Sequence, residues 1–193
     1  MAKKKPKAVL YRRKKELKTN YLKRLKLLLC RKPRVVVRFT NRKIIAQIVE
    51  FTSTSDKVLM GVDSSHLKKQ GWNYSLKNTP AAYLTGLLLG KVAAGKYADL
   101  VLDTGFKLPL KKGKTYAFLK GLLDAGLNVY QSDKKSIYPD DKRITGEHIV
   151  SYAAGLKENK LVYNKVFAQY LKESNSPENI TKCFNEVKRK IVG

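Results

Sequence analysis

The chain has 193 residues, enough to bury a real core in one principal domain with extensions. A hydrophobic fraction of 43% argues against wholesale disorder, while 41 Lys and Arg against 15 Asp and Glu leave a formal charge of +26. Self-repulsion of that size calls for a polyanionic partner. Nucleic acid comes first, because Lys and Arg release its condensed counterions, and an anionic membrane surface comes second.

The opening Met-Ala-Lys-Lys-Lys-Pro-Lys has no apolar run behind it and does not read as a signal peptide. The longest apolar stretch, 81–95, is interrupted by Lys91 and is too short to span a bilayer. A soluble intracellular protein is therefore expected. Cys30 and Cys183 lie far apart and His66 and His148 stand alone, so no zinc knuckle is expected. The two cysteines read as reduced residues on helix faces, and no cofactor or metal is called for.

The charge is unevenly spread. Residues 1–50 hold eighteen basic and two acidic residues, so more than half of the net charge sits in the first quarter of the chain. A one-signed block of this kind is the signature of an arm that lies on phosphates. A nuclear-import tag would account for Lys3 to Lys7, but not for basic residues that continue into periodic structure. Leu17, Tyr21, Leu25 and Leu28 recur at helical spacing, and Thr19 or Asn20 can cap a helix running to about Cys30. Lys18, Lys23, Arg24 and Lys26 occupy its remaining face, so that one side packs on the core and the other meets a polyanion. Lys32-Pro33 ends it, because the residue before proline is driven to an extended conformation.

Residues 34–40 alternate and are rich in β-branched side chains. Val35, Val37 and Phe39 share one face; Arg34, Val36, Arg38 and Thr40 share the other. Asn41-Arg42 makes a two-residue turn into a returning strand over 43–51, with Ile44, Ala46 and Ile48 on one face. A third strand covers 58–62. Arg34, Arg38, Arg42 and Lys43 then lie along one side of a hairpin and track phosphates; the alternative is a charged edge that blocks aggregation. The neighbouring arm favours the first reading.

The period then changes. Residues 78–95 form a buried helix, with Thr79 as cap, Pro80 at the first position, and Gly86 and Gly90 allowing close approach to a sheet. A strand over 98–103, a helix over 115–125 and a strand over 127–130 follow. That alternation implies parallel crossovers in an α/β layer on a mixed sheet. Beyond Tyr130 the polar runs Ser132-Asp133-Lys134-Lys135 and Pro139-Asp140-Asp141 open an extension that leaves the core, with helices near 146–156 and 161–171. The last helix is capped by Ser176, with Pro177 and Glu178 in its first turn and a stripe of Ile180, Cys183, Phe184, Val187 and Ile191. Three units result: an arm and helix over 1–32, an α/β core over 33–130 and a helical extension over 131–193.

Enzyme readings are weaker. Asp103-Thr104-Gly105 is the triplet of aspartic proteases, but those are all-β, and here it falls between two predicted helices; a strand-to-loop turn using the backbone freedom of Gly105 explains it better. Asp63, Asp99 and Asp103 do not group as a two-metal nuclease needs. A membrane-surface helix would carry bulky aromatics, and the arm helix has only Tyr21.

Several blocks match one family. Y-R-R-K-K-E-L-K-T-N-Y-L-K-R-L-K-L-L at 11–28, K-P-R-V-V-V-R-F-T-N-R-K-I-I-A-Q-I at 32–48 and G-W-N-Y-S-L-K-N-T-P-A-A-Y-L-T-G-L-L at 71–88 are the longest. V-L-D-T-G at 101–105, K-G-L-L-D-A-G-L at 120–127 and R-I-T-G-E-H-I at 143–149 also fit. In order and spacing the chain resembles the universal 5S rRNA-binding family of the large ribosomal subunit, in its archaeal and eukaryotic form. It departs at Leu17 and Asn20, where the family usually has Gly and Asp. The resemblance implies a ribonuclease H-like fold of the translational machinery type, without catalysis. It implies cytoplasmic work in the ribosome, docked on 5S rRNA in the central protuberance, with 23S rRNA and neighbouring large-subunit proteins as further partners and neither membrane nor small-molecule substrate. Carried over by position, Arg12, Arg13, Lys14, Lys18, Tyr21 and Arg24 of the arm and Arg34, Arg38, Asn41 and Arg42 of the hairpin are the expected RNA contacts. Arginine forks onto phosphate, lysine supplies a point charge, and Tyr21 either stacks on a base or stays in its helix stripe. The alternative is a general RNA-binding or RNA-assembly protein without 5S specificity.

Overall fold

The computed structural model describes residues 9–97, 99–130 and 137–193. The expected start of the fourth strand at Ala98 and the run Ser132 to Lys135 lie outside them, as do Lys3 to Lys7.

Two short basic helices open the chain, α1 (Arg12–Lys15) and α2 (Tyr21–Leu29). The strands β1 (Arg34–Phe39), β2 (Ile44–Phe51) and β3 (Asp56–Asp63) form an antiparallel meander. A 3-10 turn (Ser64–Gln70) leads to α3 (Thr79–Ala93), then β4 (Asp99–Asp103), α4 (Lys114–Asp124) and β5 (Asn128–Tyr130). The sheet order is β3-β2-β1-β4-β5, with β4 parallel to both β1 and β5. This is the mixed α/β sheet expected from alternation, with helical crossovers joining the parallel strands.

The hairpin between β1 and β2 closes without glycine because a threonine does the work. Phe39 pairs with Ile44, and the loop is held by Thr40 N donating to Lys43 O at 2.9 Å and Lys43 N donating to Thr40 Oγ1 at 3.0 Å. Asn41 and Arg42 are left at the exposed tip. Val35, Val37, Ile44, Ala46, Ile48 and Val62 point to the core face, where α3 is buried along nearly its whole length.

Helix α3 differs from expectation in two respects. Its cap is Asn78, whose Oδ1 accepts from Ala81 N at 2.8 Å, rather than Thr79, which is the first helical residue. Its glycines serve a helix rather than the sheet. A Cβ on Gly86 would lie 2.1 Å from Phe118 O, and one on Gly121 would lie 2.2 Å from Tyr83 O, so α3 and α4 touch backbone to backbone.

The C-terminal segment holds α5 (Asp141–Thr145), α6 (Glu147–Leu156), α7 (Lys160–Val166), α8 (Ala168–Lys172) and α9 (Ile180–Val192). The single helix expected over 161–171 is broken at Phe167, whose buried ring is held at the junction of α7 and α8. Ser176 caps the turn at Pro177–Asn179. The segment also returns to the core: Ile180, Phe184, Val187 and Ile191 of α9 are buried in the same cluster as α3, with Phe184 5.6 Å from the Tyr83 ring.

Candidate nucleic-acid interface

The outer face of the sheet, opposite α3 and α4, is polar. β1 presents Arg34 and Arg38 there, and the parallel pairing sets Val36 beside Asp103 of β4. Arg34 is not on the surface: its side chain is 2% exposed, with Nη1 donating to Asp103 Oδ2 at 3.0 Å and Nη2 to Asp56 Oδ1 at 2.8 Å. The alternation is as expected, but the face is roofed by the arm, and a buried guanidinium needs paired carboxylates. Arg38 is half-exposed; its Nη1 donates to Asp103 O at 2.7 Å and its Nη2 to Asp103 Oδ1 at 3.3 Å. Asp103 Oδ1 also accepts from Gly105 N at 2.8 Å, which with φ +65 at Gly105 makes the Asp-Thr-Gly triplet a strand-ending turn. Both Asp103 oxygens are thus engaged by arginines.

Helix α2 forms the roof, and it is rotated from the expected orientation. Lys23 Nζ donates to Thr104 Oγ1 at 2.8 Å and Gly105 O at 3.1 Å, while Arg24 forks onto Asp56 at 2.7 and 2.9 Å. These contacts hold Asp56 below the usual carboxylate range, the Arg24 hydrogen bond first and Arg34 next, against the opposing effect of burial. Three leucines turn outward: Leu22, Leu25 and Leu29 are exposed, while Leu27 and Leu28 are half-buried, and Leu17 lies before the helix with φ +52. Charge fixes this orientation, because Arg24 meets Asp56 and Lys23 meets the Thr104-Gly105 turn, while Leu27 lines the space below with Val36, Val49 and Val58. Asn20 caps the helix, its side chain accepting from Lys23 N. A cavity of about 260 Å³ remains between arm and sheet, lined among others by Arg13, Lys18, Lys23 and Arg38.

The remaining arm cations face solvent. Arg12, Arg13, Lys14, Lys15 and Lys18 are all exposed. Glu16 is their sole carboxylate neighbour among the described residues, 2.7 Å from Lys18 and 3.8 Å from Arg12. Arg13 Nε donates to Thr19 Oγ1 at 2.8 Å. Tyr21 is half-buried, with its ring 5.3 Å from that of Tyr11. Asn41 and Arg42 are exposed at the hairpin tip, and Lys43 is half-buried and paired with Asp63.

Sequence reading missed a second basic group, Lys77, Lys107 and Lys114, at the edge of the sheet where β1 ends. Lys107 Nζ donates to Phe39 O at 3.3 Å. The Lys114 ammonium is held below its usual value by burial and then by the charges of Lys77 and Lys107. The three are separated in sequence by thirty residues and by seven, and only the fold gathers them. Among the described residues no group of His, Cys, Asp and Glu is arranged to hold a metal ion, and no helix is long and apolar enough to cross a membrane.

Residues 5–98 match a family described as ribosomal large subunit proteins 60S L5 and 50S L18. The large ribosomal subunit protein uL18 of Methanosphaera stadtmanae is 45% identical over 184 residues, covering 95% of this chain and 93% of the relative. That of Korarchaeum cryptofilum is 45% identical over 185 residues, with the same coverage of 95% and 93%. With the expected sheet, the basic arm and these relatives matched along nearly their whole length, the chain belongs to the uL18 family of large-subunit ribosomal proteins.

Proposed function

We propose that this chain is a structural component of the large ribosomal subunit in the cytoplasm that binds 5S rRNA and helps attach it to 23S rRNA in the central protuberance. The observation that carries the proposal is the group of exposed arm cations, Arg12, Arg13, Lys14 and Lys18, anchored through α2 to a rigid strand pair whose tip presents Asn41 and Arg42. The arm supplies phosphate contacts that set affinity; the hairpin supplies a shape-matched edge. Arg38, Lys43, Tyr21 and Arg24 belong to the same surface, and Arg34 acts beneath it, holding Asp103 and Asp56 so that Arg38 and Arg24 are presented in fixed register.

The chain is not an enzyme in this reading: the one protease-like carboxylate, Asp103, is occupied by two arginines and a backbone amide. Neighbouring large-subunit proteins are further partners, and the exposed leucines of α2 are available to them. Purification at moderate salt followed by identification of the retained RNA tests the proposal. Enrichment of 5S rRNA supports it. Retention of ribosomal fragments and tRNA in proportion to their abundance favours general RNA binding without 5S specificity.

A further inference from the structure

A second surface lies away from the arm, where the C-terminal helices meet the hairpin. A cavity of about 540 Å³ is lined by His148, Ile149, Tyr152, Val166, Phe167 and Tyr170. It shares Ser75, Gln169 and Tyr170 with a polar groove of about 390 Å³ that includes Asn41, Arg42, Lys68, Lys77 and Glu173. The two adjoin at these three residues, the first mostly aromatic and the second carrying the cations. The aromatic pocket is backed by packed rings. Trp72, Tyr74, Tyr170 and Phe167 form a chain of neighbouring rings at 5.4, 5.3 and 6.1 Å, and Tyr74 Oη donates to Ser176 O at 2.7 Å. Tyr152 ends the chain 6.2 Å from Phe167 and is 54% exposed. Among the described residues Arg42, Lys68 and Lys77 have no carboxylate within ion-pair distance, and Glu173 is the one acidic residue of the polar groove.

We propose that these adjoining pockets bind an unpaired RNA nucleotide, its base against Tyr152 and its phosphate on Arg42, Lys68 and Lys77. Aromatic faces beside unpaired cations are the arrangement that single-stranded RNA requires, because every base has a stacking face and every linkage a charge. Three cations against one carboxylate favour a phosphodiester over a peptide poor in acidic residues. The site rests on the reading of the chain as an RNA binder, but it is separate from the arm and selects strands rather than helices.

The test titrates the full chain with a six-nucleotide oligouridylate and with a short RNA duplex. Tyr152→Ala should weaken the oligouridylate about 5- to 150-fold, the range expected when one base is deprived of its aromatic platform, and leave the duplex unchanged. Tyr152→Phe should restore binding. Lys68→Ala combined with Lys77→Ala should weaken the oligouridylate and flatten its salt dependence. Unchanged oligouridylate affinity in Tyr152→Ala, with the circular dichroism of the parent, overturns the proposal and leaves the groove to a protein neighbour. Failure to bind either RNA sinks the RNA reading itself; duplex binding with indifferent groove variants sinks only this site.

Discussion

Arg34 and Arg38 lie on one strand and on the same face, yet they do different jobs. Arg34 is enclosed and bridges Asp103 and Asp56; Arg38 reaches the surface. Arg34→Ala should therefore cost about 3 kcal/mol, because it leaves the buried Asp103 with one partner fewer and takes one of two arginines from Asp56. Urea denaturation measures this, and a loss under about 1 kcal/mol would show that the network relaxes without it. Arg38→Ala should change stability less and weaken 5S rRNA more than a random competitor RNA, since its guanidinium stands at a fixed place on the strand. Asp56 adds a pH dependence. Its folded pKa is depressed, so its contribution is present above the unfolded carboxylate value and is lost as pH falls through the lower folded value. Asp56→Asn should accordingly flatten the acid limb of a stability-pH profile; an unaltered limb would assign the acid sensitivity to other carboxylates.

At the scale of elements, α3 and α4 meet backbone to backbone. Gly86→Ala forces a Cβ onto the Phe118 carbonyl, and overpacking of this kind should cost about 3 kcal/mol. Gly155→Ala in α6 meets nothing within 4 Å and should stabilise by about 0.5–1 kcal/mol through helix propensity alone. Thermal melts of the two variants moving in the same direction would refute the packing account. The 33–130 boundary of the core is a proposal that α9 bears on. A fragment ending at residue 130 lacks Phe184 and its neighbours against Tyr83, so it should be less stable to urea than one running to 193; equal midpoints would make α9 dispensable. Much of this architecture was legible locally. Alternation placed Val35, Val37, Ile44 and Ala46 on the core face, and Ser176-Pro177-Glu178 marked the turn that precedes the last helix, which itself begins at Ile180. The orientation of α2 was not legible, because it is set by Asp56 and Thr104, which no periodicity within residues 17–30 can report. The break at Phe167 was equally hidden, since one ring among the many apolar residues of 161–171 reads as part of a continuous helical stripe.

For the whole molecule the distribution of charge is the governing fact: +26 in all, most of it in the first quarter of the chain. The candidate site was legible to the extent that charge is legible. Arg12, Arg13, Lys14, Lys18, Asn41 and Arg42 are exposed as expected, whereas Arg34 is enclosed and Lys77, Lys107 and Lys114 are gathered only by folding. The central claim is that the arm drives affinity for RNA and the folded surface selects 5S rRNA. Its most direct test is a salt titration of 5S rRNA and tRNA binding by the full chain and by a variant with Arg12, Arg13, Lys14 and Lys18 changed to Ala. The parent should prefer 5S rRNA at physiological salt. The variant should bind both RNAs more weakly, and its slope of log affinity against log salt should be shallower by about 0.7–0.9 for each phosphate no longer neutralised. Equal binding of the two RNAs by the parent, or an unchanged slope in the variant, would contradict the account.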